Sequence, residues 1–158
     1  MLGQKKVVEL GSGPGLGGLI AARWAKSVLL TDYQDLVMDL IETNIKKCNP
    51  NDKCLMLSAK LDWTRVNEEK YFENVQLVDG DSTVRGSLTS DFKPDVLIGT
   101  DVVYWRNFIV PLVDTLEKFF ETNPILVFFI CYIERHKITH IELLDELNKR
   151  QFKVEEIG

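Results

Sequence analysis

The sequence predicts an α/β domain: a doubly wound, mostly parallel sheet with helices on both faces. Three observations predict it. Short apolar runs alternate with helical stretches of about 10 to 15 residues, the pattern of βαβ units. The apolar runs are nearly continuous, as strands covered on both faces must be. A glycine-rich turn, "GSGPGLGG" at 11–18, follows the first run and opens a helical stretch.

Taken in order, residues 5–10 read as a strand ending at Gly11. Residues 16–25 read as a helix in which Leu16, Leu19, Ile20 and Trp24 share one apolar face. "SVLLTD" at 27–32 is a second strand. Residues 33–48 form the most regular helix, with Val37, Leu40, Ile41, Asn44, Ile45 and Cys48 at helical spacing, and "NPND" at 49–52 breaks it. "KCLMLSAKLDW" at 53–63 gives a third strand ending near Asp62. Residues 65–93 are polar with scattered apolar positions and read as an insertion or long loop, with a short hairpin around "ENVQLVDGDSTV". "DVLIGTD" at 95–101 is a fourth strand, residues 107–121 a helix, and "ILVFFICYI" at 125–133 a fifth, buried strand. Residues 139–150 form a helix with Ile141, Leu144 and Leu147 inward, and "FKVEEI" at 152–157 begins a sixth strand.

At 158 residues the chain reads as one domain, 1–158, long enough to bury a real core. The net charge of -5 argues against a general nucleic-acid binder. Cys48, Cys54 and Cys131 form no CxxC pair, which predicts reduced thiols in an intracellular protein and no zinc site, and no other metal site is expected. The longest apolar run, residues 124–133, is too short to span a bilayer, so no membrane association is expected.

In a parallel sheet, ligands bind beyond the carboxyl ends of the strands. The residues found there are Gly11–Gly15, Asp32, Asp62 with Trp63, and Asp101 to Tyr104. Residues 13–18 satisfy GxGxxG, and Asp32 lies near the spacing of a ribose-binding acid, which fits a nicotinamide or flavin site. Asp32 also suits a helix N-cap. Three features favour a cationic ligand instead. Glu9 precedes the first glycine, where an acid is awkward beside a pyrophosphate. Gly11, Gly13 and Gly15 make a longer bare loop. The fourth strand ends in "DVVY", whose acid and phenol hydride transfer does not need. S-adenosylmethionine carries an ammonium, a sulfonium and a ribose, and no phosphate.

The segments "VVELGSGPGLGG", "LLTDYQDLVMDLIETNI", "LDW", "DVLIGTDVVY" and "CYIERH" occur in an order that resembles the seven-β-strand S-adenosylmethionine-dependent methyltransferases, in particular the lysine-directed methyltransferase-like 21 group. The resemblance implies a Rossmann-like fold and methyl transfer to a lysine of a non-histone protein. It implies that Glu9 and the loop of Gly11, Ser12, Gly13 and Gly15 hold the methionine part of the cofactor. It implies further that Asp32 accepts from the ribose and that Asp62 and Trp63 border the adenine. Asp101 and Tyr104 match an Asp-x-x-Tyr motif beside the methyl group, with Asp101 also bordering the cofactor.

The chemistry of that pair follows independently. Positioning provides much of the catalysis of an in-line displacement at an activated methyl. Asp101 can hold an ammonium by a charge-assisted hydrogen bond, and Tyr104, one helical turn on if the segment curls, can orient it. His136 and His140 read as surface residues. The implied partner is a protein with an exposed lysine, with a chaperone or AAA-type ATPase as the class and a cytoplasmic or nuclear setting. Two other readings are an NAD(P)-binding oxidoreductase and a non-catalytic domain of the same fold. The family also carries a segment before the first strand and a closing C-terminal strand pair. The expectation is therefore a fold incomplete at both ends that self-associates through an open edge.

Overall fold

The computed structural model describes residues 3–47 and 54–157. Cys48, the "NPND" break at 49–52 and the start of the third predicted strand lie outside the described residues. Seven strands among the described residues form one sheet in the order β5-β4-β3-β2-β1-β6-β7. They are β1 (Lys6–Leu10), β2 (Ser27–Asp32), β3 (Leu55–Lys60), β4 (Gln76–Asp79), β5 (Val84–Ser87), β6 (Val96–Thr100) and β7 (Val127–Cys131). Strands β3, β2, β1, β6 and β7 run parallel, and β4 and β5 add an antiparallel edge. The chain leaves β1 towards β2 and β3, then returns to place β6 on the other side of β1. The crevice at that reversal is where a ligand site is expected.

The helices are α1 (Leu16–Ala21), α2 (Asp35–Lys47), α3 (Leu88–Asp91), α4 (Ile109–Thr122) and α5 (Lys137–Lys149). Side chains of a strand alternate between its two faces. In β1, Val8 and Leu10 therefore join the core under α4 and α5, with Leu112, Leu116, Phe119, Leu143 and Leu147. Val7 joins the opposite core under α1 and α2, with Ala21, Ala22, Met38, Ile41 and Ile45. By the same alternation Glu9 falls on the α1 side. Phe72 meets Phe119 edge to face at 5.0 Å, pinning a 3-10 turn at Phe72–Asn74 to α4. Such a pair contributes about 0.5–1.5 kcal/mol beyond its buried area.

Several elements differ from the sequence reading. Most of the expected apolar face of α1 points outward: Leu16 is 67% exposed, as are Ile20 and, beyond the helix end, Trp24 at 51% and 58%, while Leu19 packs partly against the core. Gly18 and Ala21 face the sheet instead. A Cβ on Gly18 would lie 2.1 Å from Leu30 Cδ2, so α1 packs through its bare backbone. In α5, Thr139 and Leu143 are buried with Leu147, while Ile141 is exposed. In the segment 65–93 the expected hairpin forms as β4 and β5, but it is no insertion outside the sheet: it extends the main sheet beyond β3. β7 is covered on one face only: Phe128 and Ile130 pack on the core, while Val127 and Phe129 are exposed.

"FKVEEI" forms no strand. Gln151 adopts φ 61, its N–H donates to the Asn148 carbonyl, and the Phe152 N–H donates to the Leu147 carbonyl at 3.0 Å. This is a Schellman closure of α5. It turns Phe152 back onto Phe120, with ring centroids 5.1 Å apart. Arg150 fastens the same end to α4 through Asp114 at 2.5 Å and Glu117 at 3.0 Å.

Candidate ligand groove and acceptor site

A groove of about 620 Å³ opens beyond the carboxyl ends of β1, β2, β3 and β6. That lies within the range of roughly 300–1,000 Å³ typical of small-molecule sites. Glu9, Gly11, Ser12, Gly13, Asp32, Asp62, Trp63, Asp101 and Tyr104 all line it. Gly15 does not; it is buried at the start of α1 with φ 87, where a Cβ would meet Leu30 Cδ1 at 2.9 Å. Its place in the motif is explained by the turn and the packing.

The loop after β1 is fixed from below. The Ser12 hydroxyl donates to the Glu9 carbonyl at 3.2 Å and accepts from the Thr31 N–H at 2.9 Å. Ser12 thus ties the ends of β1 and β2 together. The Asn44 side-chain amide donates to the Pro14 carbonyl at 2.8 Å, holding the loop from α2. Gly11 has φ 59, and a Cβ there would lie 3.0 Å from Val102 and 3.2 Å from Trp63. Only glycine meets both demands without strain.

Glu9 is 2% exposed. Its Oε2 accepts from the Gly18 N–H at 2.9 Å, in the first turn of α1. Burial raises its pKa, opposed chiefly by the hydrogen bond from the Gly18 N–H. A Cβ on Gly17 would sit 2.3 Å from Glu9 Oε1, so the pair Glu9–Gly17 works only with glycine there. Asp32 Oδ2 accepts from the Gly13 N–H at 3.1 Å, and its Oδ1 accepts from the N–H groups of Tyr33 at 2.8 Å and Gln34 at 3.3 Å. Asp32 therefore lines the groove and joins the glycine loop to the approach of α2, but it is not the N-cap: α2 begins at Asp35, and Gln34, whose carbonyl accepts from the Met38 N–H, holds that position.

Asp62 Oδ1 accepts from the Thr64 N–H at 2.9 Å and the Thr64 hydroxyl at 2.7 Å, capping the 3-10 turn Trp63–Arg65. That turn presents the Trp63 indole to the groove. Phe108 stands at a right angle to Trp63 at 6.5 Å and tilts against Tyr33 at 6.3 Å, forming an aromatic wall. Tyr33 and Phe108 carry no linear motif, and only the tertiary fold brings them here.

Asp101 has φ 55, and its N–H donates to the Cys131 carbonyl at 2.6 Å. Left-handed backbone is uncommon for a residue with a side chain and is held here from β7. Both carboxylate oxygens are taken by one residue: Arg135 donates to Oδ1 at 2.5 Å and to Oδ2 at 2.7 Å. These hydrogen bonds hold the Asp101 pKa below its ordinary value. Residues 102–105 form no helix, so Tyr104 reaches the groove from an extended segment and not from the next helical turn. His140 Nδ1 bonds the Tyr132 hydroxyl at 2.6 Å, and neither His136 nor His140 lines the groove. Among the described residues no group of three or more His, Cys, Asp or Glu side chains could hold a metal ion.

The lining contains four carboxylates, from Glu9, Asp32, Asp62 and Asp101, and among the described residues no Lys, Arg or His. Such a site suits a cationic ligand and opposes a pyrophosphate. The fold and groove define a Rossmann-like domain of the kind that binds a nucleoside-bearing small molecule.

A family described as "Lysine methyltransferase" matches residues 1–81, more than half of the 158. The chain belongs to the lysine methyltransferase family, whose methyl donor is S-adenosylmethionine. It is 24% identical over 155 residues to the protein-lysine N-methyltransferase EFM3 of Chaetomium thermophilum, covering 95% of this chain and 41% of that protein. It is 27% identical over 153 residues to the protein N-lysine methyltransferase METTL21A of Danio rerio, covering 97% and 60%. The chain thus spans about half the length of these relatives. Among solved structures it is similar in fold to a methyltransferase from Pyrococcus furiosus, with a TM-score of 0.60 and 18% identity over 99% of this chain and 70% of that one.

Proposed function

We propose that the chain transfers a methyl group from S-adenosylmethionine to the side-chain amine of a lysine in a non-histone protein. The groove lined by four carboxylates and no cationic side chain among the described residues carries this reading. When bound, S-adenosylmethionine supplies an activated methyl carbon, and its sulfur keeps the bonding electrons as nitrogen takes that carbon. The bare Gly11–Gly13 backbone and Glu9 suit the cationic amino-acid part, Asp32 the ribose hydroxyls, and Asp62 with Trp63 the adenine. Asp101 and Tyr104, at the end of β6, face the acceptor. Asp101 attracts and orients the lysine ammonium; the proton passes to solvent before nitrogen can present its lone pair. Tyr104 orients the amine through its hydroxyl.

The relatives named above, both lysine N-methyltransferases, support a protein acceptor. A chaperone or AAA-type ATPase acting in the cytoplasm or nucleus is part of the same proposal. Calorimetry with S-adenosylmethionine and with NAD tests the cofactor: tighter NAD binding overturns the reading. Radiolabelled S-adenosylmethionine added with a cell lysate, followed by mass spectrometry of labelled bands, tests the acceptor. Label on residues other than lysine counts against it.

A further inference from the structure

The groove holds its carboxylates in two ways. Glu9 and Asp32 are gripped by backbone N–H groups of the glycine loop and its neighbours. Asp101, at the end of β6, is gripped by a side chain that follows the neighbouring strand: Arg135, in the irregular stretch between β7 and α5. Arg135 does not line the groove; it flanks Tyr104 in a shallow hollow on the far side of residues 103–104. Its guanidinium crosses to Asp101 and takes both oxygens in a fork.

We infer that Arg135 is the resident cation of the acceptor site, standing in for the substrate ammonium on Asp101 and leaving when a lysine enters. The inference rests on the proposed lysine-directed activity. A guanidinium and an alkylammonium are alternative donors to one carboxylate, and Arg135 already satisfies it. Two cations crowded on Asp101 would repel each other, so entry of one favours departure of the other. The exchange is feasible because Asp101 and Arg135 are each 43% exposed, so water can take up the hydrogen bonds of either partner as the fork opens. Glu9 and Asp32 offer no such exchange, since a backbone N–H cannot swing away. One consequence is selectivity: a neutral side chain has no charge with which to displace the guanidinium, while a lysine ammonium has.

The test is nuclear magnetic resonance of the arginine Nε–Hε groups in the full chain, titrated with n-butylammonium chloride as the lysine mimic. Asp101→Ala supplies the reference position of an unpaired Arg135 signal. The expected result is movement of the Arg135 signal towards that reference as n-butylammonium is added. Arg106, paired with Glu142, and Arg150, paired with Asp114, should stay in place. Sodium chloride at equal ionic strength should have a much smaller effect. In Arg135→Gln, n-butylammonium should bind severalfold more tightly, read on the Val102 and Tyr104 amide signals, with Arg135→Lys falling between. An Arg135 signal that does not move, or that moves equally with sodium chloride, overturns the inference. Affinity for S-adenosylhomocysteine, measured by calorimetry on the unaltered chain, judges the underlying reading separately. No binding there defeats the proposed function, whereas a stationary Arg135 signal with intact binding defeats only the role given to Arg135.

Discussion

The two halves of the groove are built from different materials. At the β1–β2 end, Glu9 and Asp32 are oriented by backbone N–H groups of Gly18, Gly13, Tyr33 and Gln34. At the β6 end, Asp101 sits on a left-handed backbone and is oriented by the side chain of Arg135. Backbone donors are fixed by the fold and need no rearrangement when a ligand arrives. A side-chain partner is exchangeable. On the proposed reading, the backbone-held half takes the cofactor and the side-chain-held half takes the acceptor lysine.

The largest effect should come from the exchangeable half. Asp101→Asn keeps the shape and removes the charge that attracts an ammonium. Methyl transfer should fall about 100-fold, the scale on which a misplaced reacting group costs rate. Affinity for S-adenosylmethionine, measured by calorimetry, should hold. Equal loss of both would erase the division between the halves. Asp32→Ala probes the fixed half. It removes the acceptor of the Gly13 N–H along with any ribose contact. Cofactor binding should weaken by about 1–3 kcal/mol, the scale of hydrogen bonds to a charged group. Unchanged binding would remove Asp32 from the cofactor site.

The fixed half was the more legible in the sequence. β2 was read at its observed bounds and β1 within one residue, because strands covered on both faces are continuous apolar runs. Glu9, Gly11, Gly13, Asp32, Asp62 and Trp63 were found because strand ends and glycines mark where a parallel sheet receives ligand. The buried face of α1 is hidden from the sequence because apolar period picks large side chains, while a helix packed on its backbone buries Gly18 and Ala21. Phe108 and Tyr33 approach only through tertiary packing. "CYIERH" is part of the resemblance, but nothing linear shows that Arg135 reaches Asp101 across 34 positions.

Smaller effects sharpen the contrast. Tyr104→Phe removes one hydroxyl from an exposed side chain, so methyl transfer should slow about threefold to tenfold, as for a single neutral hydrogen bond. Cofactor affinity should not change. A rate equal to that of the parent would reduce Tyr104 to a wall of the slot.

Glu9→Gln should have the mildest effect on stability, and the opposite sign. Burial raises the folded-state pKa of Glu9 above its unfolded value. Between those two values the folded state holds the extra proton, so stability falls as pH rises through that window and stays lower above it. Glutamine has no charge to bury and can still accept from the Gly18 N–H. The variant should therefore gain in melting temperature relative to the parent at neutral pH, and the gain should vanish below the unfolded pKa. Cofactor binding should weaken. Melts across pH decide it, and a gain independent of pH would mean that charge burial is not the cause.

The aromatic wall gives the groove its own optical signal. The chain has three tryptophans. Trp24 and Trp105 are exposed, so their emission is that of indole in water. Trp63 alone lines the groove, half-buried against Phe108 and under Gly11. A ligand entering there changes the surroundings of one indole and leaves two as a constant background. Occupancy is therefore readable from the blue edge of the emission band, in the unlabelled protein, and Trp63→Phe should silence the change.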